Sequence, residues 1–298
     1  VVTAGPQLGR RAFLISVAAI AAAGSSFAAE RPTPRLAAID WAMLETAIAL
    51  GQMPVAACEL IRYRADTETP VIPDSVTDLG LRGAPNYELL QLTRPDFILS
   101  SPFYAQHEAR LRSIAPVISL PFYVPGEPPV DKALAALTAL AIATGQPDSA
   151  LAARTRYGVQ IRGLSKRITP FTDRPVCLVN IGDARHLRAF GYDSLFGDML
   201  GLLGMQNAWT DRTQFSFRAP LPVERLAEMP DAHLVIVGTV PVEARSGLAR
   251  SVLWRHLPAV AEGRVLHLPD VNAFGGMPSA LRFASLLTEA FEAGPRAA

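Results

Sequence analysis

The chain has 298 residues, half of them hydrophobic and 18% charged, with a formal net charge of +1. That apolar content excludes a disordered chain, and the near-neutral balance excludes the basic surface that nucleic-acid phosphates require. Two cysteines, Cys58 and Cys177, are too few and too far apart for a disulfide framework; both read as buried strand residues and not as a bridge.

In chain order, the first segment reads as an export signal and not as part of the fold. Arg10 and Arg11 precede Phe13, Leu14 and Ile15, an alanine-rich run follows, and Ser26-Phe27-Ala28 offers small residues for cleavage after Ala28. The pair of arginines is of the twin-arginine type, and the apolar run, about ten to fifteen residues, is too short to span a bilayer. Removing residues 1–28 leaves 26 basic and 27 acidic residues. The remaining length is enough for two lobes with separate cores.

The first lobe is expected over residues 35–130. Leu36–Ile39 reads as a strand, and Trp41–Leu50 as a helix with Met43, Leu44, Ile48 and Leu50 on its apolar side, stopped by Gly51. Val55–Cys58 is the next strand, with Arg62, Tyr63 and Arg64 in the loop behind it. Val76, Leu79 and Leu81 form a short apolar run ending at Arg82. A helix is expected over Asn86–Thr93, with Pro85 in its first position and Leu89, Leu90 and Leu92 buried, stopped because Pro95 biases Arg94 out of the helical region. Phe97–Leu99 follows as a strand. Two loops, carrying Arg82 and Tyr104, would then open on the edge of a sheet where ligands of open α/β folds sit. A helix at His107–Ser113, a strand at Val117–Leu120 and an extended edge over 121–129 complete the lobe.

Residues 131–168 read as helical. Asp131–Thr144 is rich in alanine and leucine, Gly145 and Pro147 break it, and a second helix from Asp148 to Ile168 is about 30 Å long. It is either a rigid connector between lobes or an ordinary crossover helix. The second lobe, 174–293, has strands at Val176–Ile181, His233–Val237 and Arg264–Leu268, and helices at Leu195–Leu203, Val223–Met229 and Leu248–Trp254. WAMLETAIALG pairs weakly with DSLFGDMLGLLG, and NYELLQLTRPDFILS with PVERLAEMPDAHLVIV. The simplest architecture is α/β: two similar lobes joined by a long helix, with a ligand cleft between them.

The runs PDSVTDLGLR, NYELL, RPDF, SLFGDML, QNAW and ERLA, with a tyrosine in the loop at Tyr104, resemble the ferric-hydroxamate siderophore-binding family of bacterial ABC importers over Arg35–Phe291. The resemblance implies a periplasmic, monomeric solute-binding protein that hands a ferric siderophore to an inner-membrane permease. It implies Arg82 and Tyr104 as donors to hydroxamate oxygens and Trp41 as a cleft aromatic, although Trp41 also fits a core position. Where the family has further aromatics, this chain has Asp66, Ser100, Ser216, Asn272 and Ala273, with Phe215, Phe217 and Phe274 nearby. Arg188 and Arg218 replace an apolar and a small polar contact. If they face the cleft and not solvent, the pocket would suit an anionic complex, for example one built on citrate. Glu88 and Glu224 occupy matching first turns of helix, where carboxylates favour the helix dipole; the resemblance implies that they dock on the permease.

No nucleophile elbow, phosphate loop, dinucleotide fingerprint or zinc motif occurs in the sequence. His107, His186, His233, His256 and His267 are isolated, so no metal site of the protein's own and no cofactor is expected. A ferric chelate has no vacant position for a protein ligand and must be recognised through its outer oxygens and carbon framework. The alternatives are a binding protein for haem or cobalamin and an exported α/β hydrolase.

Overall fold

The computed structural model describes residues 33–67, 69–211 and 220–294. The export-signal segment 1–28 and four expected site residues, Phe215, Ser216, Phe217 and Arg218, lie outside the described residues. No helix among the described residues is long and apolar enough to cross a membrane.

Two five-stranded sheets follow one another along the chain. The first has the order β3-β2-β1-β4-β5, all parallel: β1 (Leu36–Ala38), β2 (Ala56–Ala57), β3 (Thr77–Asp78), β4 (Phe97–Ser100) and β5 (Val117–Ser119). Its helices are α1 (Trp41–Ala49), α2 (Leu60–Asp66), α3 (Tyr87–Leu92) and α4 (Glu108–Arg112). The chain winds one way from β1 to β3 and the other way from β4 to β5, so a topological switch point lies between β1 and β4.

Helices α5 (Val130–Ala143) and α6 (Pro147–Ile168) lead to the second sheet, of order β10-β9-β6-β7-β8. It comprises β6 (Val176–Ile181), β7 (His186–Ala189), β8 (Leu221–Pro222), β9 (His233–Val237) and β10 (Val265–Leu268). Helices α7 (Leu195–Leu202), α8 (Val242–Arg250), α9 (Val252–His256), α10 (Pro258–Ala261) and α11 (Met277–Ala293) accompany it. The repeat seen in the sequence corresponds to strand trios, β1-β4-β5 and β6-β9-β10. It fails beyond them, because β7 runs antiparallel to β6 and β8 antiparallel to β7.

Several local readings change. Arg62, Tyr63 and Arg64 lie in helix α2, not a loop, and Tyr63 is fully buried. Asn86 caps α3 through its side chain, so Pro85 precedes the cap, and Leu92 points to solvent. Arg94 does leave the helical region, with φ 46°. Residues 121–129 form no strand, and Ser251 separates α8 from α9, its side chain capping α9 through Trp254 N.

The expectation of separate cores is also corrected. Leu36, Ala38, Val176 and Leu178 turn inward to one large cluster that includes Leu44, Leu137, Phe196 and Phe283. The alternate residues, Ala37 and Ile39 in one sheet and Cys177 and Val179 in the other, face smaller clusters on the outer side of each lobe. This is the period of two expected of strands covered on both faces. The helical layer between the sheets is therefore common to both: the Phe196 and Phe283 rings stack with centroids 4.5 Å apart, and each such buried side chain contributes roughly 1.5–3 kcal/mol. Helix α6 reaches both lobes, donating from Arg156 Nη2 to Ala49 O at 3.0 Å and from Ser165 Oγ to Leu203 O at 3.1 Å, and pairing Arg167 with Glu292.

Candidate functional site

Four parallel strands deliver their carboxyl ends to one place: β1 leads to Asp40 and Trp41, β2 to Glu59, β3 to Arg82, and β4 to Ser101 and Tyr104. Asp40 starts α1 by accepting from the Ala42 and Met43 amides through Oδ1, at 2.7 and 3.1 Å, while Oδ2 accepts from Ser101 Oγ at 2.8 Å. Burial pushes its carboxyl above the ordinary range, against the pull of these donors and of Arg82. Trp41 is buried, its indole N–H donating to Cys58 O at 2.9 Å, and its ring packs edge-on against Tyr63 at 5.1 Å.

The Arg82 guanidinium lies 3.9 Å above the Trp41 ring centroid, an arrangement favourable by about 0.5–2 kcal/mol where water is partly excluded. Its Nε donates to Glu59 Oε2 at 2.9 Å, and its backbone N–H donates to Glu59 Oε1 at 3.2 Å. Tyr104 is buried but for its rim, and burial pushes its phenol up to about 12, opposed by Arg82. Among the described residues, neither the Nη groups of Arg82 nor the Tyr104 hydroxyl has a protein hydrogen-bond partner. Their sequence neighbours Leu81 and Phe103 are both largely exposed. The arrangement can present N–H and O–H donors beside apolar surface to an oxygen-rich guest.

The second sheet meets this edge through a buried carboxylate. Glu45, on α1, is fully buried and accepts five hydrogen bonds. Tyr63 OH, Asn272 Nδ2 and Ser279 Oγ donate to Oε1 at 3.1, 2.9 and 2.7 Å, and Gly276 N and Ser279 N donate to Oε2 at 2.7 and 3.1 Å. A Cβ at Gly275 would lie 2.5 Å from Glu45 Oε2, so this approach requires glycine. Tyr123 adds a second tie, donating to Gly275 O at 2.5 Å and packing edge-on against Phe274.

Of the sequence-predicted residues, the structure thus brings together Trp41, Arg82 and Tyr104. Asn272 is drawn into the joint, with Oδ1 accepting from Phe274 N and Nδ2 committed to Glu45, and so forms no open wall. Phe274 lies beside it. Arg188 is exposed on β7, opposite Asn180 on β6. Ser100 is buried in β4, Asp66 pairs with Arg62 at the end of α2, and Ala273 packs partly on the shared core. Glu88 and Glu224 are both exposed in first turns of helix. Sequence reasoning missed Glu45 and Glu59. Glu45 was signalled as the lone charge in the apolar helix WAMLETAIA, and Glu59 as a carboxylate just past a strand end. Cys58 and Cys177 are free and buried, their thiols pushed up to about 12. No cluster of three or more metal-binding side chains occurs among the described residues.

The sequence pattern of the periplasmic binding protein family matches residues 36–271. The chain belongs to the periplasmic binding protein family. It is 32% identical over 256 residues to the iron(3+)-hydroxamate-binding protein FhuD of Escherichia coli K12, covering 86% of each chain. The siderophore-binding protein FhuD of Vibrio cholerae, solved with Fe3+-Desferal, superposes with a TM-score of 0.78 at 25% identity, over 87% of this chain and 97% of that one. The petrobactin-binding protein YclQ of Bacillus subtilis shares the fold, with a TM-score of 0.70 at 16% identity, over 87% and 92%.

Proposed function

We propose that this chain captures a ferric hydroxamate siderophore in the periplasm, without turnover, and delivers it as a monomer to an inner-membrane ABC permease. The observation that carries the reading is a pair of donors at the strand ends, Arg82 Nη and Tyr104 OH, that have no protein partner among the described residues. The likeness to hydroxamate binders supports it. Hydroxamate oxygens remain acceptors after they bind iron, so fixed donors recognise a saturated complex without displacing a ligand from the metal. Residues 35–130 and 174–293 act as the two jaws and 131–168 as the connector. Glu88 and Glu224, one on each jaw, are the docking carboxylates.

The test is intrinsic-fluorescence titration with ferric desferrioxamine, haem and cobalamin. Saturable quenching by the hydroxamate alone is expected, with Arg82→Ala weakening it at least about tenfold, or ~1.4 kcal/mol. Saturation by haem or cobalamin and not by the hydroxamate would overturn the ligand class, and unaltered affinity in Arg82→Ala would remove Arg82 from the site.

A further inference from the structure

Arg82 does not stand at the strand ends as a bare cation. Glu59 stands just past β2 with φ 54°, a left-handed conformation disfavoured for any residue with a side chain. In that position both of its carboxylate oxygens meet the Arg82 loop, one on the backbone N–H and one on Nε. Only 14% of the Glu59 side chain and 22% of the Arg82 side chain are exposed, so solvent screens the pair weakly. Asp40 lies within the field of the same guanidinium, and Asp78 joins Glu59 in acting on the neighbouring Cys58 thiol. The strand ends of the first sheet therefore set Glu59 directly against Arg82, with Asp40 also within its field.

The geometry points to Glu59 as the residue that sets which ligand charge this half-site accepts. It cancels the charge of Arg82 and fixes its orientation, while leaving the Nη donors for hydroxamate oxygens. The half-site then bonds a ferric trihydroxamate that is neutral or carries a cationic tail, and disfavours one with added negative charge. This rests on the proposed function and reverses the anionic ligand expected from Arg188 and Arg218. Arg188 is exposed on β7, and Arg218 lies outside the described residues.

The test uses probes that share one ferric trihydroxamate core: ferric desferrioxamine with its terminal ammonium, its neutral N-acetyl derivative and its anionic N-succinyl derivative. Affinities are measured by fluorescence quenching at low and high salt. The wild type should favour the ammonium form over the succinyl form by roughly five- to tenfold at low salt, and less at high salt. Glu59→Gln keeps an acceptor for Nε but removes the charge. It should shift the ratio of the two charged probes toward the anion by about the same factor. Glu59→Asp keeps the charge, so it should preserve the ratio even where the shorter side chain weakens all three. A uniform change across the probes in Glu59→Gln would reduce Glu59 to a structural partner, and a wild type that prefers the anionic probe would overturn the inference without needing any variant. A wild type that binds none of the three would instead overturn the proposed function.

Discussion

Replacing Glu45 offers the sharpest test of how the two lobes are held. Its carboxylate is the common acceptor for donors from α1's own lobe, through Tyr63, and from the start of α11 and the turn before it, through Asn272, Gly276 and Ser279. In Glu45→Ala the Tyr63 and Ser279 hydroxyls can rotate away. Gly276 N, Ser279 N and Asn272 Nδ2 cannot. Three fixed donors stranded at roughly 1–3 kcal/mol each, less the relief of no longer burying a carboxylate, give a net loss of about 3–5 kcal/mol. Glu45→Gln should cost far less, about 1–2 kcal/mol. Its carbonyl can take the place of Oε2 beneath the two amides, its NH2 can donate to the two hydroxyls, and only Asn272 is opposed. Urea denaturation of wild type and both variants, with the slope compared as well as the midpoint, measures these numbers. A loss below about 1 kcal/mol in Glu45→Ala would refute the reasoning, because it would mean the donors find other acceptors at no cost.

The same pair yields a pH prediction. Burial raises the Glu45 carboxyl above its ordinary 4.5, against the Ser279, Asn272 and Gly276 donors. A raised folded value means that stability is fully present below the unfolded value and lost as pH rises through the folded one. The advantage of wild type over Glu45→Gln should therefore shrink as pH rises from about 4.5, and an advantage that grows with pH would show that the donors outweigh burial. Glu88→Ala with Glu224→Ala should leave siderophore affinity intact and abolish uptake in cells; normal uptake would return both carboxylates to a role at their helix ends. Ligand should leave the radius of gyration by small-angle scattering nearly unchanged, since the shared core and the uninterrupted α6 oppose a large rotation; a clear fall on binding would refute it.

Much of this molecule is local and so was legible in the sequence. Strands such as Val176–Ile181 and His233–Val237 are apolar runs with their own punctuation, and α5 and α6 are separated by Gly145 and Pro147. Arg82 and Tyr104 could be placed because each closely follows a strand whose direction fixes where the next segment begins, although Tyr104 lies in a 3-10 helix, Pro102–His107, and not in the loop expected. Helix α11 escapes the reading although Pro278 stands near its start and apolar residues recur along it. The antiparallel course of β7 escapes it for a better reason, since four residues of HLRA carry no sign of the direction in which they pair.

What only the tertiary structure decided concerns the charges. Glu45 meets Asn272 and Ser279 across 227 and 234 positions of sequence, and Glu59 meets Arg82 across 23, through a backbone turn that no propensity favours. A side chain's residue type states that it carries a carboxylate; whether that carboxylate ties two lobes together or pairs with an arginine at the strand ends depends on which distant donors the packed core brings to it. Local sequence sets where a chain bends and which faces are apolar. Pairing among buried polar groups is settled only when those faces close, because burial leaves each donor the choice between the acceptor it meets there and a large desolvation cost.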